Sequence, residues 1–272
     1  MVSFTNLLTA GLLATTTLAV PHNMHKHKVH KRSTTKRGAA YNDVSTVDTL
    51  ASSGTIGWAY DWVYTIDPGL PSGVEYVPML WGATFFSGWV SAIETILASG
   101  SDYILGFNEP DNSAQANMSP SEAAAYYLEY ITPYSGSAKL ISPAVTSSTT
   151  SGEGLSWFEE FMSDCSSCGI SGLAVHWYGD SIDDFESFVQ QAVSTAAAYS
   201  LDEVWVTEFA LSADTSGVAD QSTTAEFVTQ ALTFMDAQTN VTRYSYFYCA
   251  EDYLLTDGAL NSVGEAYAST SD

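Results

Sequence analysis

The chain has 272 residues, with 8 Lys and Arg set against 31 Asp and Glu for a formal net charge of −23, and 13% of its residues are aromatic. So acidic a surface repels phosphates and anionic headgroups, which excludes nucleic acid and anionic membrane as partners. The imbalance is uneven: Lys26, Lys28, Lys31, Arg32, Lys36 and Arg37 all precede Gly38, so the remainder keeps only Lys139 and Arg243 against every acid.

The N-terminal stretch reads as targeting and processing sequence. Residues 7–18 form an apolar run too short to span a bilayer, and Thr17-Leu18-Ala19 offers a small-residue cleavage site, so residues 1–19 are expected to be a signal peptide. The usual Lys or Arg ahead of the apolar run is missing. Pro21 to Arg32 is basic and His-rich. It can be read as a metal-binding tract, but a removed pro-segment over residues 20–37 is preferred. The pairs Lys31-Arg32 and Lys36-Arg37 suit the proteases of the fungal secretory pathway that cut after Lys-Arg, which places the mature start near Gly38. Residues 38–272 are then expected to form one domain, secreted and monomeric. Asn117 and Asn240 head glycosylation sequons, in keeping with export.

From Gly38 on, short apolar strands alternate with helical segments and no linker intervenes. Thr55–Trp62 and Glu75–Gly82 read as strands, the second with an awkward Pro78. Trp89–Leu97 reads as a helix burying Val90, Ile93 and Leu97. Tyr103 opens a strand that ends in Asn108-Glu109-Pro110-Asp111. Ser119-Pro120-Ser121-Glu122 is a helix start with an N-cap, a first-turn Pro and a capping box. Strand Lys139–Val145 and a helix around Trp157–Met162 follow. Cys165 and Cys168 are read as a local disulfide at the next turn, since no second pair exists to make a zinc site; Cys249 is left as a buried free thiol. Strand Gly172–Gly179, helix Asp183–Tyr199, strand Glu203–Ala210, helix Thr223–Gln238 and strand Arg243–Ala250 complete the series.

Repeated strand-then-helix order implies a parallel sheet with right-handed crossovers. Seven strands are legible, one short of a closed (β/α)8 TIM-type barrel, and the missing one is expected before Tyr103, where the spacing is tight and Pro-rich. An open doubly wound sheet is the alternative. It is disfavoured because no glycine-rich phosphate fingerprint follows a strand and because polar and aromatic residues sit at most strand C-termini.

Two carboxylates stand where buried strands should emerge, Glu109 and Glu208, on opposite sides of a barrel mouth. Such a pair is the minimal equipment for glycosidic cleavage: one, with its pKa raised, protonates the leaving oxygen, and the other attacks or activates water. Trp58, Tyr60, Trp62, Trp81, Trp177, Tyr178, Tyr246, Phe247 and Tyr248 cluster at the same strand ends, where rings can stack on sugar faces. Alternation requires that about half of them are core. His176 has no partner at ligand spacing, so no metal is expected, and the absence of G-x-S-x-G removes a serine hydrolase.

Leu105-Gly106-Phe107-Asn108-Glu109-Pro110-Asp111, Ser142-Pro143-Ala144-Val145, Ala174-Val175-His176-Trp177-Tyr178-Gly179 and Val206-Thr207-Glu208-Phe209-Ala210 resemble the fungal secreted glycoside hydrolases of family 128, with an Asl1-like catalytic core. Val77-Pro78-Met79-Leu80-Trp81-Gly82 fits as well. The resemblance implies a compact (β/α)8 barrel, somewhat reduced in its N-terminal part, that cleaves β-1,3-glucan with retention and without a cofactor. It makes Glu109 the acid/base on the fourth strand and Glu208 the nucleophile on the seventh. Asn108 would touch the sugar 2-hydroxyl, and Trp81, His176, Tyr178 and Tyr246 would form subsites. A non-catalytic glucan-binding wall protein and a hydrolase of another glucan linkage are the competing readings.

Overall fold

The computed structural model describes residues 35–269. The expected signal peptide and most of the pro-segment lie outside the described residues.

Eight parallel strands form two sheets. Strands β1 (Gly38–Ala40), β2 (Trp58–Tyr60) and β3 (Glu75–Tyr76) make one, in that order. Strands β4 (Tyr103–Ile104), β5 (Lys139–Val145), β6 (Ile170–Gly179), β7 (Glu203–Leu211) and β8 (Val241–Tyr244) make the other, also in sequence order. Single bridges join the sheet edges, Met79 to Leu105 at one side and Arg37 to Tyr244 at the other. The crossovers carry helices α1 (Val44–Ala51), α2 (Phe86–Ala98), α3 (Pro120–Tyr130), α4 (Gly154–Asp164), α5 (Ile182–Ala198) and α6 (Gln221–Ala237), and α7 (Ser262–Ala268) closes the chain after a small hairpin, β9 (Leu255–Thr256) and β10 (Ala259–Leu260). The fold is thus mixed α/β around a curled parallel sheet. Residues 61–74, between β2 and β3, carry no helix.

The strand absent from the sequence reading is β1. It lies before Tyr103 as expected, but not in the Pro-rich stretch: Gly-Ala-Ala has no β-branched residue to announce a strand. Pro78 cuts the second predicted strand short, since it has no N–H to donate; its carbonyl still accepts from Leu105 N at 2.9 Å. Ser119 caps α3 as its motif requires. Helix α2 buries Trp89, Ala92, Ile93 and Ile96, whereas Val90 is 60% exposed, so the predicted face is rotated by about one residue. The Cys165–Cys168 disulfide closes the turn between α4 and β6, and Cys249 is a buried free thiol whose pKa burial pushes up to about 12.

The core has two parts. Ala40, Trp58, Tyr60, Val77, Met79, Leu105, Ile141, Ala144, Ala174 and Trp205 come from both sheets and fill the concave side. A larger cluster between sheet and helices holds Trp89, Tyr127, Phe158, Phe185, Phe209, Phe227 and Tyr267 among others. At the strand N-termini Arg243 lies over the rings of Tyr103 and Trp205 and bonds Glu75 at 2.6 Å, while Lys139 pairs with Glu203. The two late cations are therefore plugs of one end of the curl, and among the described residues the acids at the other end meet no Lys or Arg.

Folded structure begins ahead of the expected mature start. Lys36 and Arg37 pack against α6, β8 and α7.

Candidate active site

Glu109 follows β4 on a run pressed against β5. Gly106 permits the approach, because a Cβ there would lie 2.6 Å from Pro143 N. Ala144 N then donates to Phe107 O at 2.8 Å, and Glu109 N to Ala144 O at 2.8 Å. Glu109 itself sits at φ 42°, a left-handed conformation that costs a non-glycine residue free energy and turns the carboxylate off the strand line. The Asp111 carboxylate holds the neighbouring loop by accepting from Thr146 N, Thr146 Oγ1 and Gly154 N, the last at 2.8 Å.

Glu208 reaches the concave side through an irregularity. On β7, Trp205 faces inward and Val204 and Val206 face the helices. Strict alternation would send Glu208 outward. The register between β6 and β7 instead shifts after Val175–Val206, so that His176 pairs with Glu208 and Thr207 is the extra residue. One extra residue inverts the parity of all that follows. Glu208 thereby shares the inward face with His176 and Tyr178, and Phe209 returns to the helical side.

The two carboxylates meet at His176. Its Nδ1 is 2.8 Å from Glu109 Oε1 and 3.4 Å from Glu208 Oε2, and the three groups lie within 4.8 Å of one another. All three residues are at least 93% buried. Trp62 Nε1 donates to Glu208 Oε1 at 2.7 Å, Tyr178 Oη to Glu208 Oε2 at 2.5 Å, and Asn112 Nδ2 to Glu109 Oε2 at 2.9 Å. Burial opposes the charge on His176, but the carboxylates of Glu208 and Glu109 outweigh it and hold the imidazole above its usual pKa. Burial likewise works to raise Glu109, yet the hydrogen bond and charge of His176, with Asn112, take it below the ordinary carboxylate value. This corrects the sequence expectation of a raised Glu109: the cation that lowers it was not foreseen. These three side chains are also metal-ligand types, but Nδ1 already fills the space between the carboxylates at hydrogen-bond distances.

Above this floor opens a cleft of about 690 Å³ lined by Trp62, Trp81, Asn108, Tyr178, Phe247 and Tyr248, among others. Of the predicted substrate contacts, Trp81, Asn108 and Tyr178 line it. Asn108 Nδ2 is turned to Gln115 at 3.3 Å, and its buried Oδ1 has no partner among the described residues. His176 is fully buried beneath the cleft and positions carboxylates rather than touching solvent. Tyr246 is 1% exposed and packs on Phe209 and Tyr267 in the outer core; Phe247 and Tyr248 take the cleft instead. Sequence reasoning missed Asn112 and Gln115, which offer no motif, and gave Trp62 no role beyond its place among strand-end aromatics. The sequon residues Asn117 and Asn240 are both exposed.

The family profile described as glycosyl hydrolase catalytic core matches residues 38–267. The chain belongs to the glycosyl hydrolase catalytic core family. Within that family it is 36% identical over 252 residues to alkali-sensitive linkage protein 1 of Schizosaccharomyces pombe, covering 86% of this chain and 44% of that protein, so it spans less than half of the relative's length. Among solved structures it is similar to a curdlan-specific exo-β-1,3-glucanase of GH128 subgroup III from Blastomyces gilchristii, in complex with glucose, at 39% identity and TM-score 0.79, covering 86% of this chain and 98% of that one. A GH128 subgroup I endo-β-1,3-glucanase from Amycolatopsis mediterranei, in complex with laminaripentaose, matches at 27% identity and TM-score 0.71, covering 86% and 98%. The Asl1-like family 128 resemblance seen in the strand-end motifs is thus shown across nearly the whole described chain.

Proposed function

We propose that this chain is a retaining β-1,3-glucan hydrolase that works by double displacement, with Glu208 as nucleophile and Glu109 as acid/base. The observation that carries the mechanism is the carboxylate spacing. Retaining enzymes hold the two groups about 5–5.5 Å apart and inverting ones about 6.5–9.5 Å; here the facing atoms of Glu109, His176 and Glu208 lie within 4.8 Å. That spacing falls short of what an inverting pair needs to seat a water beside the sugar. The β-1,3-linkage rests on the neighbours, whose glucanase activities the cleft's aromatic walls suit.

Glu208 receives donors on both oxygens, from Trp62 and Tyr178. These hold it oriented for attack on the anomeric carbon. Glu109 and His176 share a proton across 2.8 Å, and the pair gives it to the glycosidic oxygen as the carbon–oxygen bond breaks. Once Glu208 is an ester its charge is gone, one of the supports for the imidazolium is lost, and Glu109 then takes a proton from the water that hydrolyses the ester. Asn108 Oδ1, without a partner among the described residues, is the acceptor for the sugar 2-hydroxyl. We also read the eight strands as one barrel closed at its two single-bridge seams, with the helix between β2 and β3 missing. The acidic surface and the likeness to β-1,3-glucanases support a location outside the cell or in its wall.

Glu208→Gln is expected to abolish hydrolysis of laminarin while the variant still binds laminari-oligosaccharides. An NMR time course on the wild type should show the β-anomer as first product. First appearance of the α-anomer overturns retention, and an active Glu208→Gln protein overturns the nucleophile.

A further inference from the structure

Of the two dibasic pairs in the N-terminal segment, the described residues hold Lys36-Arg37, and that pair is built into the fold. Arg37 is 5% exposed. Its Nε donates to Tyr244 Oη at 2.9 Å, one terminal nitrogen donates to Tyr267 O at 3.1 Å and to Ser269 O, and the other pairs with Asp236 at 3.0 Å. Lys36 Nζ donates to the last carbonyls of α6, Met235 O at 2.9 Å and Asp236 O at 3.1 Å, and to Gln238 O at 2.7 Å just beyond. The backbone is equally engaged. Lys36 O accepts from Trp58 Nε1 and Tyr244 N, both at 2.9 Å, and Arg37 O accepts from Gly57 N at 2.9 Å. Gly38 lies so close to the Trp58 ring that a Cβ would approach to 2.2 Å.

From this we infer that the Lys36-Arg37 pair is a structural latch and not a processing site, and that a dibasic-specific serine endoprotease releases the mature chain after Arg32, with Ser33 as its first residue. Such a protease must take the Arg side chain into a pocket and hold the flanking backbone extended in its own cleft. At Arg37 both requirements need the bridge to β8 and the contacts with α6 and α7 to open first. Cleavage of a folded chain tracks the population of such open forms, which is small where side chain, carbonyl and neighbouring N–H are all bonded. The remaining pair is Lys31-Arg32. In the reaction water adds across the Arg32–Ser33 peptide bond: hydroxyl goes to the Arg32 carbonyl carbon and the proton to the Ser33 nitrogen. The mature chain then keeps four cations, with Lys36 and Arg37 joining Lys139 and Arg243.

The test is N-terminal sequencing and intact mass of the full chain secreted from a fungal host that carries the Lys-Arg endoprotease. A start at Ser33 is expected; a start at Gly38, or one upstream with both pairs intact, overturns the inference. A synthetic peptide of residues 33–44 serves as control, and the protease should cut it after Arg37 at least 100-fold faster than it cuts the purified folded chain there. Equal rates would sink the latch. Asp236→Asn removes one partner of Arg37 and is expected to raise cutting after Arg37 several-fold, with unchanged cutting after Arg32. A chain begun at Gly38 should melt roughly 5–10 °C below one begun at Ser33, and identical melting would show that the pair holds nothing.

Discussion

Replacing His176 by Gln removes the imidazolium while keeping an N–H that can reach Glu109. In the native protein the Glu109 pKa is depressed below 4.5, so its contribution to stability is present above that value and lost as pH falls through the folded value. His176 is raised above 6.5, so its contribution is present below that value and lost as pH rises through the folded value. Both contributions are complete between pH 4.5 and 6.5. In His176→Gln the two carboxylates face each other within 4.8 Å with no cation between them. Two such charges repel by about 3–4 kcal/mol at an effective dielectric near 20. Protonation of one carboxylate relieves part of this, and burial, now unopposed, drives Glu109 upward. The variant should therefore be less stable by about 2–4 kcal/mol in that window, or roughly 5–15 °C in Tm for a chain of this size. The gap should narrow as pH falls through the lowered Glu109 value and as pH rises through the raised His176 value. Thermal unfolding of both proteins from pH 3 to 8 reads this directly. A constant Tm difference across that range would mean that the ring acts by packing alone, and the shared-proton mechanism would fall with it.

Trp62→Phe keeps a ring but loses the N–H to Glu208; a hydrogen bond to a charged group contributes about 1.5–3 kcal/mol, so kcat should fall roughly 10–150-fold with KM little changed. Tyr248→Ala should raise KM for laminari-oligosaccharides at least several-fold, because its ring lines the cleft. Tyr246→Phe, by contrast, removes a buried hydroxyl without a partner among the described residues and should leave kcat and KM unchanged with Tm equal or slightly higher; a KM effect there would restore Tyr246 to the cleft. Serine at both Cys165 and Cys168 opens only a very short loop, so chain entropy limits the loss to about 2 kcal/mol, measured as a fall in the urea midpoint at unchanged slope.

The order of elements was legible because each strand ends abruptly in polar or aromatic residues and each helix repeats every three to four. Five of the helices start on the side chains of Asp43, Ser119, Ser181, Asp220 and Asn261, which are ordinary N-cap residues. Glu109 and Glu208 were legible for the same reason, as acids where apolar strands stop. What alternation could not tell was which side of the sheet each residue takes. Tyr246 and His176 were placed in the cleft with their neighbours, and a single position separates core from cleft at both. The lowered Glu109 was illegible because its cause is a contact between β4 and β6 partners 67 residues apart. Lys36 and Arg37 show a related blind spot. Read alone, a basic pair before a domain looks like a cleavage signal, and only the fold brings Asp236 and Ser269 against it.

The extra residue in β7 has a consequence for how this protein can change. Thr207 supplies no chemistry to either carboxylate, yet its presence decides that Glu208 faces His176. Substitutions at Thr207 are therefore affordable wherever the size fits, whereas a deletion would carry Glu208 into the helical layer and bring Phe209 to the floor of the cleft. Descendants of this sequence can drift in composition along β7 but not in length. A redesign that straightened the strand to an ideal one would yield a tidy curled sheet with Glu208 on the outside.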